Sequence, residues 1–269
     1  MAVKPFSNEE LNFLKFAAII FDEFPKAIRQ AFATMWDNKV GVLPGYQLLD
    51  DSAAVRNMFL GAEGAKTDIP INSSIDCWDC TTLFKATIYA KTFALPGSKR
   101  TLAESYIKGR KLKPSPFHLT IISPSGNQDE TLALAIDQLR LLRNRLCHSA
   151  ERKMDKLSFD HCVNLAKDAF AALGVNTTSI DVIGRLTESD FPTKKVDKLN
   201  KSIQKGLKAR NLFLQGEVID KFVDLEDLVN QLSETVREVK DLAKTAPILY
   251  EQMRIMNSQL VQARETGNI

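Results

Sequence analysis

From Phe222 onward the apolar residues fall into a heptad, and this repeat constrains the fold more than any other feature of the chain. Phe222, Val229, Val236 and Ala243 take the a positions, and Leu225, Leu232, Val239 and Ala246 take the d positions. Such a repeat lays an apolar seam along one side of a helix, and another helix has to cover it. Valine at a with leucine at d favours a parallel two-stranded coiled coil. The same frame continues through Tyr250, Met253, Asn257 and Leu260, with Asn257 at an a position that would fix register. Pro247 falls within it and has no N–H to give, so it interrupts or bends the helix. A long helix folded back onto the rest of the chain would cover the seam equally well, and the sequence leaves the two arrangements open.

Upstream, apolar spacings of three and four recur, and the chain reads as almost all helix. Residues 11–32 form a run with Leu14, Ala17, Phe21 and Phe24 inward, which Pro25 kinks or restarts. A second helix is expected over residues 46–60, ending at Gly61. Asn72, Ser73 and Ser74 offer an N-cap for a helix over residues 77–93, which Pro96 and Gly97 stop. The stretch FHLTII is the one plausible strand. Being short and isolated, it reads better as an extended loop than as part of a sheet. Asp129 is expected to cap the next helix, whose inward residues are Leu132, Ala135, Ile136, Leu139, Leu142 and Leu146. SFDHCVNLAKDAFAALGV follows as another amphipathic helix.

The richest chemistry sits at the end of the helix before that one. Arg143, Asn144 and His148 lie within six residues. Arg143 is four residues from Leu139 and three from Leu146, so a charge falls inside an apolar stripe, which is costly unless it is paired or at an interface. Arginine, asparagine and histidine together can hold a phosphate and move a proton near neutral pH. On an ideal helix Asn144 and His148 share a face, whereas Arg143 stands roughly 140° round from His148. The plainer reading has Arg143 bonding helix-end carbonyls and His148 favoured by the helix C-terminus.

An arginine followed by a polar residue, with four residues between it and a histidine, resembles the signature of the HEPN (higher eukaryotes and prokaryotes nucleotide-binding) superfamily. Residues 8–193 resemble the subfamily found in the DAZ-interacting zinc-finger ubiquitin ligase and in invertebrate immune-type proteins. The long basic loop over residues 96–128 departs from that pattern. The resemblance implies an all-α HEPN-type bundle that dimerises with two motifs facing one cleft, where RNA is cut without a metal. It implies that His148 is general base or acid, that Arg143 binds the scissile phosphate and stabilises the pentacovalent state, and that Asn144 orients His148 or the phosphate. The subfamily also has non-catalytic members. The resemblance therefore leaves a second reading, an oligomeric scaffold or adaptor in intracellular immune signalling.

Other residues carry weaker signals. Asp137 lies seven before Asn144 on the same side and could orient His148, though such a residue is more often solvated. Cys77 and Cys80 form a CxxC, and Cys147, His148, His161 and Cys162 are further ligand types. With no second CxxC, and both sulfurs inside an apolar run, no metal site and no cofactor is expected. Lys194, Lys198, Lys201, Lys205 and Lys208 repeat at four, three, four and three, giving one basic row suited to a phosphate backbone or simply to water. No aromatic residue interleaves, so base stacking is not indicated. Lys108, Arg110, Lys111 and Lys113 make a second basic cluster in the long loop.

At 269 residues with a net charge of +3, the chain is long enough for one good core and an appendage, and too weakly basic to be declared a nucleic-acid binder on charge alone. P-loop, dinucleotide, hydrolase-elbow and kinase signatures do not appear. Four unevenly spaced cysteines and no signal peptide suggest a reducing, cytoplasmic setting, with no membrane segment. The expected organisation is a helical bundle over residues 1–193, a basic linker helix over 194–216 and a coiled coil over 217–269. The expected state is a homodimer through coiled coil and bundle, with RNA as a partner.

Overall fold

The structure, a computed structural model, describes residues 5–64, 69–95, 99–108, 110, 115–149 and 151–265. Along the last stretch only the backbone is described at 209–210, 212–224, 226–227 and 263–265. The described residues form α-helices joined by short 3-10 turns, with no strand among them. FHLTII accordingly lies in an extended loop. The chain divides into two units, Met1–Arg210 and Asn211–Ile269.

In the first unit, α1 (Asn8–Ala18) opens on a capping box, in which Ser7 and Glu10 satisfy each other's backbone N–H groups. A π turn over Ile19–Glu23 joins it to α2 (Phe24–Lys39), where Pro25 sits in the first turn and its missing donor costs little. Next come α3 (Ala53–Ala62), α4 (Cys80–Thr87) and α5 (Leu102–Tyr106). After them run α6 (Gln128–Cys147), α7 (Lys156–Ala172), α8 (Thr178–Gly184) and α9 (Thr193–Glu265).

The motif-bearing α6 is the central helix. Residues 133–139 are all fully buried, so it has no outward face over two turns. It packs against α1, α4, α5 and α7. A second focus is aromatic. Phe32 on α2 meets Trp36, Phe59, Trp78 and Phe93 at centroid distances of 5.7 to 6.4 Å, pinning the irregular stretch before and after α4 to the bundle.

Three helix boundaries differ from the sequence reading, each for a local reason. The helix expected over residues 46–60 begins only at Ala53. Trp36 Nε1 donates to the Gln47 carbonyl (2.9 Å) and Leu49 N donates to Asp37 (2.7 Å), which hold the earlier residues against α2 as a loop. The helix expected over residues 77–93 shrinks to α4, because Ser74 caps a separate 3-10 turn and Asp79, not the serines, caps α4. Beyond α4, the Glu63 carboxylate accepts from the backbone N–H of Lys91 and of Thr92 and bends the chain into a second 3-10 turn. The cap of α6 is Asn127, whose side chain accepts from Glu130 N at 3.1 Å, while Asp129 pairs with Lys39.

The boundary expected after residue 193 falls within the first unit. Leu199 and Ile203, on the start of α9, are buried in its core, and Val196 packs against it. The second unit is the remainder of α9, helical through Pro247 to Glu265. A helix passing through a proline leaves the carbonyl four residues back, here that of Ala243, without its usual N–H. Its heptad side chains Leu225, Val229, Leu232, Val236 and Val239 are all exposed. Phe222 lies outside the described side chains.

Candidate functional site

Arg143 leaves α6 pointing inward and is only 4% exposed. Its Nη2 donates to Thr81 Oγ1 at 2.9 Å, in the first turn of α4, and its Nη1 donates to Asn144 Oδ1 at 3.3 Å. Its Nε is buried with no hydrogen-bond partner among the described residues. The guanidinium therefore cross-links α6 to α4. Gly206 on α9 closes over it. A β-carbon there would stand 3.1 Å from both Arg143 Nη2 and Cys147 Sγ, so glycine permits the close approach. Beside it, burial pushes the Cys80 thiol up to about 12 despite the downward pull of Arg143, so Cys80 is a neutral, inert sulfur.

A cavity of about 640 Å³ opens where α2, α4, α6 and α9 meet, and Arg143 lies on its wall. Four cationic side chains line it, Lys26, Arg29, Arg143 and Lys205, against four acidic ones, Asp22, Glu23, Asp76 and Asp79. Several are already engaged: Lys26 with Glu23 (2.7 Å), Arg29 with Asp76 (3.4 Å) and Lys205 with Asp79 (3.3 Å). Burial raises the Asp79 carboxyl, but the Thr82 backbone N–H and the Lys205 ammonium outweigh it and hold it below the usual carboxylate range. The cavity is thus balanced in charge.

The other two motif residues stand elsewhere. Asn144 is half-buried, and His148 is the exposed C-cap of α6, its backbone N–H bonded to the Asn144 carbonyl at 3.1 Å. Among the described residues the cavity wall includes Arg143 but neither Asn144 nor His148. Within one chain the fold joins Arg143 to Asn144 and leaves His148 at the surface end of the helix.

Asp137 does not orient His148. It is fully buried, accepting from His118 Nε2 at 2.7 Å and from Arg140 Nε at 2.6 Å. Burial raises its pKa, but the His118 hydrogen bond and the Arg140 charge outweigh that and keep it below the usual range. Its neighbour Gln138 accepts the His118 backbone N–H (3.0 Å), and Thr131 accepts that of Ser123 (3.0 Å). The polar residues of α6 thus serve the long loop as a docking strip, each supplying a partner that the strandless loop lacks. Sequence reasoning missed His118, since no periodicity connects it to Asp137 across that loop.

The lysine row, Lys194, Lys198, Lys201, Lys205 and Lys208, is exposed throughout, opposite buried Leu199 and Ile203. In the loop cluster Lys108 pairs with Glu104 and Arg110 with Glu130, while Lys111 and Lys113 lie outside the described residues. Cys77 is exposed whereas Cys80, Cys147 and Cys162 are buried, so the CxxC does not present two sulfurs to one ligand. Among the described residues no three histidine, cysteine or acidic side chains gather as a metal would need, and no helix is long and apolar enough to cross a membrane. No protein-family model, no curated protein and no solved structure matches the chain.

Proposed function

We propose that this protein is a self-associating, non-catalytic scaffold of HEPN type, which displays copies of a helical domain on a coiled-coil helix as an adaptor in the cytoplasm. The observation that carries this reading is the exposed heptad seam on α9. Leu225, Val229, Leu232, Val236 and Val239 share one side of a helix with no described residue of the second unit over them. Each gains about 1.5–3 kcal/mol on full burial, so the seam drives association. The motif supports the same view. Arg143 is spent on Thr81 and Asn144 in a charge-balanced cavity, and His148 is not on that cavity's wall. Light scattering tests it: the full chain should run as an oligomer and a chain ending at Gly216 should not. The same number of copies in the two proteins would remove the proposal.

A second reading rests on the exposed lysine row, five cations on one helix face, of which Lys205 already pairs with Asp79 and the other four are offered to a phosphate backbone. In it the protein binds RNA and cuts it without a metal, Arg143 and His148 of two chains completing one site. Cleavage of labelled RNA in excess EDTA, lost in a folded Arg143→Ala/His148→Ala variant, would establish it over the scaffold.

A further inference from the structure

The apolar face of α9 is wider than a coiled-coil seam. In the frame that puts Val229 at a, the g positions are Leu228, Thr235, Leu242, Leu249 and Met256. The four apolar ones are between 58% and 68% exposed. The described d positions, from Leu225 to Leu260, are all apolar, so three adjacent rows, a, d and g, form one continuous face with d at its centre. The e positions on the other side of a are Glu226, Ser233, Lys240, Pro247, Arg254 and Val261, polar or charged at four of six. Two rows of seven suit a two-stranded seam. Three rows of seven are the pattern of a helix set among several others in a bundle. A simple pair buries a and d and leaves the g row in water, a long apolar strip of a kind that soluble proteins rarely expose.

We infer that the second unit assembles more than two copies of this chain into a closed helical bundle, an inference that rests on the scaffold reading above. Each helix would turn its d row to the bundle axis, its a row to one neighbour and its g row to the other. Charge on the two flanks suits identical partners. Glu238 lies on the flank beside g, and Lys240 and Arg254, with Glu226 before them, on the flank beside a. In a parallel ring each helix meets the next through opposite flanks, so Glu238 of one helix stands level with Lys240 of the next at every joint, while only the first turns set Asp224 toward Glu226. Other occupants fit less well. Residues 225–262 carry six acidic and four basic side chains, and a net-negative helix is not drawn to anionic lipid or to a phosphate backbone. Around the proline, Ala243 and Ala246 keep the core small where the helix lacks a hydrogen bond.

The test is the mass of the full chain by light scattering, against a variant in which Leu228→Glu, Leu242→Glu, Leu249→Glu and Met256→Glu leave only two apolar rows. The wild type should exceed twice the 30.1 kDa chain mass, and the variant should fall to twice that mass with its helical circular dichroism kept. A wild type of two chains overturns the inference and leaves the scaffold standing; a single chain overturns both. A variant that keeps the wild-type mass also overturns it. Lysine cross-linking of the wild type counts copies independently of any variant. Bands beyond two chains support the bundle, and a ladder that stops at two refutes it.

Discussion

Replacing Asp137 by alanine is the sharpest probe of how the globular unit is held together. The carboxylate is fully buried and takes two charge-assisted hydrogen bonds, from His118 at 2.7 Å and Arg140 at 2.6 Å. Removing one member of such a group leaves buried donors without an acceptor, which typically costs about 3–5 kcal/mol. The His118 side chain is only 3% exposed, whereas that of Arg140, at 22%, can turn toward solvent. The loss should therefore lie near the lower end, about 3 kcal/mol. For a unit of this size that lowers Tm by roughly 6–12 °C. Both tryptophans, Trp36 and Trp78, are buried in the same unit, so urea unfolding followed by tryptophan fluorescence reports on it directly. The pH dependence carries a sign. Asp137 has its folded pKa depressed, so its contribution is full above the unfolded carboxylate value, about 3.9. It drains away as pH falls below that value and through the depressed one. The gap between wild type and Asp137→Asn should thus stay constant from pH 7 down to about 4 and close in stronger acid. A loss below about 1 kcal/mol for Asp137→Ala, typical of an exposed ion pair, would refute the buried-network account.

Two further outcomes are expected. Gly206→Val should destabilise the first unit by about 1–3 kcal/mol in the same urea assay, since its added atoms crowd an arginine that Thr81 and Asn144 hold in place. A thiol reagent should label one cysteine quickly in the native protein, Cys77, and four after unfolding, because burial raises Cys80 to about 12 and Cys162 to about 11 and Cys147 is also enclosed. Fast native labelling of two or more would contradict that.

Helical periodicity carried most of the architecture. The all-helical class, the break at Pro25 and the motif helix are legible because a 3.6-residue apolar spacing is a local property. What stayed hidden depends on partners far away in sequence. The loop that replaces the start of the expected second helix is made by Asp37 and Trp36, and the bend after α4 by Glu63. Of the candidate site, the burial cost of Arg143 was legible from the leucines around it, but Thr81, which accepts from its Nη2, lies 62 residues earlier. Asp137 read as solvated or as a partner of His148, and only the folding of the loop brings His118 to it. The start of α9 looked like a linker because its lysines outnumber its apolar residues. Leu199 and Ile203, four apart, suffice to bury one side of it.

That burial sets an order of events during synthesis. A nascent chain emerges N-terminus first, so the globular unit cannot close over Arg143 until Ile203 and Gly206 have left the ribosome. The exposed heptad seam follows directly behind, delayed at elongation rates of about 5–20 residues per second by only a few seconds. If copies join through that seam, as proposed, they do so only after each chain has been able to complete its own interior, an order set by the sequence alone.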